Sequence, residues 1–278
     1  MLAELVARGI PVHATARSPG SAQPGVIWHT ADLREGAERA RLLAGSPAKQ
    51  LLHCAWEIEH GAFWTAPAND LWRRVSCDLA REFLAAGGER VLALGTCAEY
   101  DPLAPSALAA VRLVAPITPY GQAKASLHEE LGRICGPRLI WARLFHLYGP
   151  GEDRRRLVPS LIDAAREGRP AEVRAAGLIR DFASSAHVAR ALVGLMDSGA
   201  TGAFDIGSGQ SRSLGALARI IAEAAGRPDL LRLSHTPGPQ DPAELTPHFA
   251  ALAAVSGLKP EHPLQALTEH VRREIGAA

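Results

Sequence analysis

A tyrosine and a lysine four residues apart are the residues of this sequence best suited to proton transfer. They lie in the segment 119–124, which reads PYGQAK and is predicted to begin a helix. Residues at this spacing share one face of a helix, so the ammonium of Lys124 can lie beside the phenol of Tyr120. A nearby positive charge favours the phenolate and suits the tyrosine to exchange a proton with a carbinol or carbonyl oxygen. The alternative is a plain surface pair, because this spacing also arises by chance.

A threonine could contact the same substrate oxygen. Thr96 follows the segment 90–95, whose apolar residues are typical of a strand buried on both faces of a parallel sheet. Open α/β sheets bind their ligands beyond the carboxyl ends of such strands. A hydroxyl there can hydrogen-bond a substrate, although Thr96 could equally cap the loop that follows.

Predicted strands and helices alternate along the first half of the chain, which indicates βαβ units and an α/β fold with a doubly wound parallel sheet. The predicted strands of this half are 11–16, 26–29, 50–54 and 90–95. The predicted helices of this half are 1–8, 35–45 and 69–86. In the less regular second half we predict helices at 121–135, 157–168, 213–226 and 264–276, and strands at 139–143 and 204–207.

The composition favours a cytoplasmic protein that binds neither nucleic acid nor membranes. The formal net charge is +1, from 30 Lys and Arg against 29 Asp and Glu, so no strong field attracts a polyanion. No segment is apolar over the roughly 20 residues that a membrane span requires, and no signal peptide is recognised. The 4 cysteines and 11 histidines show no spacing typical of a metal site, so we expect reduced thiols and no metal.

The order of these residues resembles one enzyme family. Thr96-x-x-x-Tyr100 after an apolar strand, followed by Thr118-Pro-Tyr120-Gly-x-x-Lys124, is similar to the extended short-chain dehydrogenases/reductases, the NAD-dependent epimerases and dehydratases. Further segments match the family in order and spacing over nearly the whole chain: ADL at 31–33, HCA at 53–55, RLFHLYGPG at 143–151, RDF at 180–182 and DIGSG at 205–209.

The resemblance implies a role for individual residues. Tyr120 would be the catalytic acid/base, Lys124 would lower its pKa and hold the nicotinamide ribose, and Thr96 would position the substrate oxygen. NAD or NADP would exchange a hydride with a substrate carbon. The residues implied in cofactor binding are Arg17, Asp32, Leu33, His53, Ala55, Tyr120 and Lys124. The residues implied in substrate binding are Thr96, Glu99, His146 and Arg180.

The expected substrate is a nucleotide-linked sugar, whose diphosphate Arg180 would face by charge-assisted hydrogen bonds. The arginines at 154–156 could join it, or could simply form a solvated loop. Cys97 and Ala98 replace the acidic pair of the family's dehydratases. We therefore favour an epimerase or a keto-reductase over a dehydratase.

The chain departs from the family pattern at its beginning. Residues 1–8 predict the helix that follows the family's first strand and glycine-rich loop, and neither precedes it here. That loop would offer backbone N–H groups to the cofactor pyrophosphate. Without the first strand, the sheet would have a gap bordered by unpaired backbone groups. A misassigned start, a truncation and a loss of cofactor binding are the open explanations.

Two further substitutions bear on ligand binding. Arg17, after the second strand, could favour NADP over NAD, or it could stack on adenine or point to water. His146 stands where the family has an asparagine that contacts substrate phosphate. The alternative function is that of a catalytically silent homologue that has lost cofactor binding and binds a ligand or a partner protein.

At the scale of the chain, we expect a Rossmann-like but N-terminally incomplete dinucleotide-binding domain over 1–150. A smaller, mainly substrate-binding α/β lobe would occupy 151–278, with some of its segments returning to the main sheet. The resemblance also implies a homodimer formed through a four-helix bundle of helices 69–86 and 121–135.

Overall fold

The fold is α/β, as the sequence predicts. A computed structural model describes residues 1–18, 22–102, 113–238 and 241–276. Within these residues the helices are α1 (Leu2–Ala7), α2 (Gly36–Ala44), α3 (Ala68–Ala85), α4 (Pro119–Cys135), α5 (Leu157–Glu167), α6 (Ser185–Asp197), α7 (Leu214–Ala224), α8 (Phe249–Ser256) and α9 (Pro263–Gly276). The strands are β1 (Val12–Ala16), β2 (Val26–Thr30), β3 (Gln50–His53), β4 (Arg90–Thr96), β5 (Leu139–Leu144), β6 (His146–Tyr148), β7 (Ala171–Val173), β8 (Ile179–Arg180), β9 (Phe182–Ser184), β10 (Gly202–Ile206), β11 (Arg212–Ser213), β12 (Leu231–Leu233) and β13 (Glu244–Leu245).

The chain divides into two compact units. Unit 1 contains residues 1–99, 114–143 and 189–204. Of the described residues, unit 2 contains 100–102, 113, 144–188, 205–238 and 241–276. Each unit has its own hydrophobic core.

Unit 1 is built on parallel strands. One sheet has the order β10-β5-β4-β3, and β3 runs parallel to β4 with Leu52 opposite Leu92. Strands β1 and β2 form a separate parallel pair, in which Val12 lies opposite Val26. The parallel pairing confirms the prediction of an α/β fold with a parallel sheet.

Packing of α3 and α4 fixes the central strand β4. Phe83 of α3 and Leu127 of α4 share one buried cluster with Val91 and Ala93 of β4. On the other side of α3, Leu79 packs with Leu33 in a smaller cluster. Val91 and Ala93 point to this face of β4, whereas Leu92, which is also buried, points to the opposite face. Burial on both faces accounts for the nearly continuous apolar sequence of β4.

Unit 2 has short strands and a core between helices. Its small sheets have the orders β11-β8-β13, β12-β7 and β6-β9, and β6 runs parallel to β9. Side chains of α5, α7 and α9, among them Ile162, Ile221 and Leu267, form the core of this unit. The strands of two or three residues lack the length for a recognisable period, so the sequence does not predict them.

Each predicted helix and strand is present within about three residues at either end. Two helices were not predicted, α6 and α8. Most of α6 is buried, including Ala191, Leu192 and Val193, so it lacks the polar face that marks an amphipathic helix. Across the described ranges, no helix combines the length and hydropathy needed to cross a bilayer.

Candidate active site

The first turn of α4 carries Tyr120 in a fixed position. Helix α4 begins at Pro119, whose ring suits the first helical position, and the hydroxyl of Thr118 accepts a hydrogen bond from the N–H of Gly121 at 3.1 Å. The N–H of Tyr120 donates to the carbonyl oxygen of Trp64 at 3.1 Å. These bonds hold the start of the helix in place, and Tyr120 with it.

Close packing at Gly121 brings α4 up to the end of β4. A Cβ atom at Gly121 would overlap the carbonyl oxygen of Ala98. Ala98 lies in the short 3-10 turn after β4, and its N–H donates to the hydroxyl of Thr96 at 3.2 Å. The structure therefore brings the helix of Tyr120 up to the end of β4, where Thr96 lies.

Lys124 is buried one turn along α4. Its ammonium donates to the carbonyl oxygen of Leu94 at 2.8 Å and lies 3.7 Å from the centre of the Trp56 ring. Burial lowers the pKa of Lys124 to about 7. Trp56 thus covers the ammonium that the family resemblance assigns to the nicotinamide ribose, and its ring would have to move for a ribose to reach Lys124.

Three aromatic side chains surround the ring of Tyr120. Its centre lies 4.9 Å from that of Phe63, 5.7 Å from that of Trp64 and 6.4 Å from that of Trp56, all edge to face. Asn69 of α3 orients this group, because its amide accepts from the Trp56 indole at 2.9 Å and donates to the Phe63 carbonyl at 2.7 Å. The sequence does not predict this arrangement, since the loop between β3 and α3 has no hydrophobic period.

Glu99 does not lie where a substrate contact was predicted. Its side chain is fully buried, and it accepts hydrogen bonds from the N–H of Thr96 at 2.8 Å, from the indole of Trp141 at 3.0 Å and from the guanidinium of Arg143 at 2.7 Å. Burial raises the pKa of this carboxyl group, against the opposing effect of Arg143. Glu99 therefore anchors the end of β4 from inside the protein, which argues against the predicted substrate contact.

Residues predicted to hold the cofactor follow the carboxyl ends of β1, β2 and β3. The guanidinium of Arg34 donates to both oxygens of Asp32, and these bonds lower the pKa of Asp32 to about 2. Leu33 is part of the core, Ala55 is half-buried and Arg17 is exposed. The carboxylate of Asp32 is therefore already paired. Its neighbouring backbone is hydrogen-bonded as well, because the N–H of Asp32 donates to the carboxylate of Glu38 at 2.6 Å and the carbonyl oxygen of Leu33 accepts from Arg39 at 2.9 Å.

His53, at the end of β3, is a buried neutral imidazole. Burial lowers its pKa to about 3, with a smaller effect from Lys124. Its Nε2 lies 2.7 Å from the hydroxyl of Ser76, and that hydroxyl donates to the carbonyl oxygen of Trp72 at 2.6 Å. Because the serine proton is used there, the Nε2–H of His53 is the donor and its Nδ1 is left as an acceptor.

In unit 2, His146 lies in a positively charged environment. Its ring stacks on Phe182 with 4.9 Å between the ring centres, and its buried Nε2 has no hydrogen-bond partner among the residues that the structure describes. Burial lowers the pKa of His146 to about 4, and the charges of Arg180 and Arg156 act in the same direction. An unpaired neutral imidazole near two guanidinium groups is suited to bind an anion.

The three arginines at 154–156 differ in their partners. Arg154 pairs with Asp163 and Glu274, and Arg155 pairs with Asp153. Among the described residues, the only carboxylate paired with Arg156 is a distant one, that of Glu152 at 3.9 Å. Arg156 is therefore the member of the run whose charge is available to a ligand.

The segments RDF and DIGSG are joined by Asp181. Its fully buried carboxylate accepts hydrogen bonds from the N–H of Ser208 at 2.5 Å and from the N–H of Gln210 at 3.2 Å. A Cβ at Gly207 would lie 2.6 Å from one of its oxygens. Asp181 thus supports the loop after β10 and fixes the strand end that carries Arg180.

Comparison with known proteins identifies the family. The model of the NAD dependent epimerase/dehydratase family matches residues 1–207, which is most of the chain. The chain belongs to this family. The resemblance drawn from the sequence is thereby confirmed, and a dependence on a nicotinamide dinucleotide is the general property of this NAD-dependent epimerase/dehydratase family.

Members of the family with named activities act on nucleotide sugars. The chain is 27% identical over 282 residues to a UDP-glucose 4-epimerase of Rhizobium meliloti, covering 90% of this chain and 85% of that protein. It is 28% identical over 159 residues to a dTDP-4-dehydro-6-deoxy-D-allose reductase of a Streptomyces species, covering 55% of this chain and 47% of that protein. The fold matches that of MoeE5 in complex with UDP-glucuronic acid and NAD, with a TM-score of 0.81, 22% identity, and coverage of 98% of this chain and 94% of that one. The fold also matches that of TunA, an NAD dependent-NDP-hexosamine 5,6-dehydratase, with a TM-score of 0.78, 21% identity, and coverage of 98% of this chain and 92% of that one. The named relatives and structural neighbours thus include a nucleotide-sugar epimerase, a reductase and a dehydratase.

Proposed function

We propose that this protein is an NAD(P)-dependent epimerase or keto-reductase of a nucleotide-linked sugar, with Tyr120 as its acid/base. The observation that carries the proposal is the contact of Gly121 with Ala98, which brings the helix of Tyr120 to the turn of Thr96. The comparisons support the class of substrate and the cofactor, because named relatives act on nucleotide sugars.

The proton chemistry follows from this arrangement. Tyr120 takes the proton from a sugar hydroxyl as the carbinol is oxidised and returns it as the carbonyl is reduced. Thr96 donates a hydrogen bond to the same oxygen and holds it in line. The charged form of Lys124 stabilises the phenolate of Tyr120 from the same helix face. When bound, the nicotinamide supplies the acceptor and donor of hydride.

The residues after β4 favour epimerisation or reduction over dehydration. Elimination of water requires an acid close to the leaving hydroxyl, and Cys97 and Ala98 offer no carboxyl group. The carboxyl of Glu99 is buried and bound by three donors. The first residues after Thr96 thus contribute no elimination acid.

Arg180, Arg156 and His146 are proposed to bind the diphosphate of the substrate. Two guanidinium groups supply charge-assisted hydrogen bonds, and the unpaired Nε2 of His146 offers one more polar contact. For the cofactor, the proposed contacts are those that the family resemblance implies: Arg17, Asp32, Leu33, His53, Ala55, Tyr120 and Lys124. The homodimer through α3 and α4, the division at about residue 150 and the cytoplasmic location also stay predictions.

The test is turnover of UDP- and dTDP-linked hexoses and their 4-keto forms, with NAD(H) and NADP(H), by the wild type and Tyr120→Phe. We expect the substitution to lower kcat by at least about 100-fold while nucleotide affinity is unchanged, since only the proton transfer is lost. Tyr148→Phe is the matched control, because Tyr148 lies in the core of unit 2 and its hydroxyl has no hydrogen-bond partner within the described part of the chain. Equal activity of Tyr120→Phe and wild type would contradict the proposal.

A second candidate function is that of a silent homologue that binds a nucleotide without turnover. The observation that favours it is that the Trp56 ring covers the ammonium of Lys124, where the nicotinamide ribose would bind. Calorimetric titration separates the two candidates. Binding of UDP with no binding of NAD(H) or NADP(H) up to millimolar concentration would support the silent homologue and contradict the enzyme.

A further inference from the structure

A buried carboxylate and a buried ammonium hold the same end of β4. The carboxylate of Glu99 accepts a hydrogen bond from the N–H of Thr96 at 2.8 Å. The ammonium of Lys124 donates to the carbonyl oxygen of Leu94, also at 2.8 Å. A Cβ atom at Gly95, the residue between these two, would overlap the Glu99 carboxylate. Two opposite charges are thus bound two residues apart on one strand, inside unit 1.

The partners of Glu99 show that its side chain is ionised. Besides the N–H of Thr96, they are the indole of Trp141 at 3.0 Å and the guanidinium of Arg143 at 2.7 Å. All three groups can only donate, and a protonated carboxyl group would need an acceptor for its own O–H. Glu99 therefore carries a negative charge in the interior, where water screens it little.

The other titratable groups near Lys124 are uncharged at neutral pH. Apolar surroundings raise the pKa of the Cys54 thiol to about 11, and burial lowers the pKa of His53 to about 3. On α4 itself, burial lowers the pKa of His128 to about 4. Within the described ranges, Glu99 is thus the negative charge that acts on this ammonium near pH 7.

We propose that Glu99 is a positioning residue whose carboxylate keeps Lys124 in its charged form. A buried ammonium without a counter-charge releases its proton, because burial disfavours the charged form. The carbonyl of Leu94 and the ring of Trp56 offer only a dipole and a π face, whereas Glu99 offers a full opposite charge. Through Lys124, Glu99 acts on the proton chemistry of Tyr120, and this last step rests on the proposed function.

The charge of Lys124 can be measured without substrate or cofactor. The lysines of the chain are Lys49, Lys124 and Lys259, so ¹³C labelling at lysine Cε gives few NMR signals, whose chemical shifts follow each proton against pH. We expect Glu99→Gln to lower the titration midpoint of Lys124 by about one pH unit, which is about tenfold in its acid dissociation constant. Lys49 and Lys259 are exposed and serve as internal controls that should not shift.

Two further variants separate charge from structure. Trp141→Phe removes a donor from Glu99 and keeps the charge, so Lys124 should titrate as in the wild type. Glu99→Gln leaves the guanidinium of Arg143 buried without its carboxylate, which is destabilising. The double variant Glu99→Gln/Arg143→Gln avoids this and should also lower the midpoint, since Glu99 acts on Lys124 more strongly than Arg143 does.

The pH profile of turnover tests the step from Lys124 to Tyr120. For oxidation of the sugar carbinol, we expect Glu99→Gln to move the acidic limb of kcat/KM to higher pH by about one unit, because the phenolate loses stabilisation. Glu99→Asp keeps the charge and should restore the wild-type limb. A lowered Lys124 midpoint with an unchanged profile would support the proposal and contradict the role of Tyr120 in the proposed function.

Two outcomes would overturn the proposal. The first is an unchanged or raised midpoint of Lys124 in both Glu99→Gln and the double variant. A purely structural role of Glu99 predicts a rise, since loosening the end of β4 admits water and moves the pKa of Lys124 toward its ordinary value of 10.5. The second is an equal fall in Trp141→Phe, which would mean that hydrogen bonding rather than charge is decisive.

Discussion

Lys124 carries a buried ammonium group, and its titration makes the stability of the protein depend on pH. Its ammonium has one carbonyl partner, that of Leu94, and one aromatic face, that of Trp56. Burial disfavours the charged form, so the pKa falls from 10.5 to about 7. In the unfolded chain Lys124 keeps its proton up to a pH of about 10.5, whereas in the folded chain it releases the proton near pH 7.

We therefore expect the contribution of Lys124 to the free energy of unfolding to grow as the pH rises from about 7 to about 10, because the unfolded state binds more protons in this window. Urea denaturation of the wild type and Lys124→Met across this range measures it. The free energy of unfolding of the wild type, relative to that of Lys124→Met, should increase as the pH rises. A constant difference would show that Lys124 titrates alike in both states.

Gly95 is required by the buried carboxylate of Glu99. A Cβ atom there would overlap the Glu99 carboxylate and the indole of Trp141. We expect Gly95→Ala to lower the free energy of unfolding by about 3 kcal/mol or more, since it disrupts a buried ion pair and its hydrogen bonds. Urea denaturation measures the change.

The control for that substitution is Gly132→Ala. Gly132 lies within α4 with no atom near the site of a Cβ, so alanine should stabilise the helix by about 0.5–1 kcal/mol. If both variants were equally stable, the tight packing at Gly95 would be disproved.

At this scale the sequence was informative about Thr96, Tyr120 and Lys124, because spacing along a helix and position after a strand decide their placement. It could not show that Glu99 lies inside the protein. That outcome depends on Arg143 and Trp141, which are more than 40 positions away along the chain. Long-range contacts of this kind leave no local pattern in a sequence.

Among the elements, the register of α4 against the turn after β4 controls the distance between two predicted catalytic groups. We expect Gly121→Ala to lower kcat by about tenfold or more, because the added methyl pushes the helix away from Ala98 and misaligns Tyr120 with Thr96. Steady-state kinetics with the substrate found for the wild type measures this, and thermal unfolding checks the fold. Gln122→Ala, in the same turn, is the control and should keep wild-type kcat. A kcat for Gly121→Ala like that of the control would contradict this role.

The elements themselves were largely predictable, since α3, α4 and β4 have clear apolar periods or continuous apolar sequences. Helix α6 was not, because its surroundings bury it on most sides. The separation of β1 and β2 from the remaining strands of unit 1 was foreseen as a gap in the sheet. The size and the lining of that gap required the structure.

For the whole molecule, the proposed homodimer predicts that α3 and α4 present contact surface to a second copy. Leu71 on α3 is 37% exposed, which suits such a contact. We expect sedimentation to show a dimer for the wild type and a shift toward monomer for Leu71→Glu, since burial of a carboxylate opposes association. Leu264→Glu, on the exposed surface of α9, is the control and should stay dimeric. A monomeric wild type would contradict the prediction.

The isolated pair of β1 and β2 has a consequence for how the protein opens. No described strand pairs this ribbon to β3, and its neighbour α1 is tied to α6 by an exposed ion pair between Arg8 and Asp197, a kind of contact that adds little stability. We therefore expect residues 1–18 and 22–30 to detach as one unit while the remaining sheet stays folded. Brief digestion with trypsin should cut first within this stretch and leave a resistant fragment that begins beyond it.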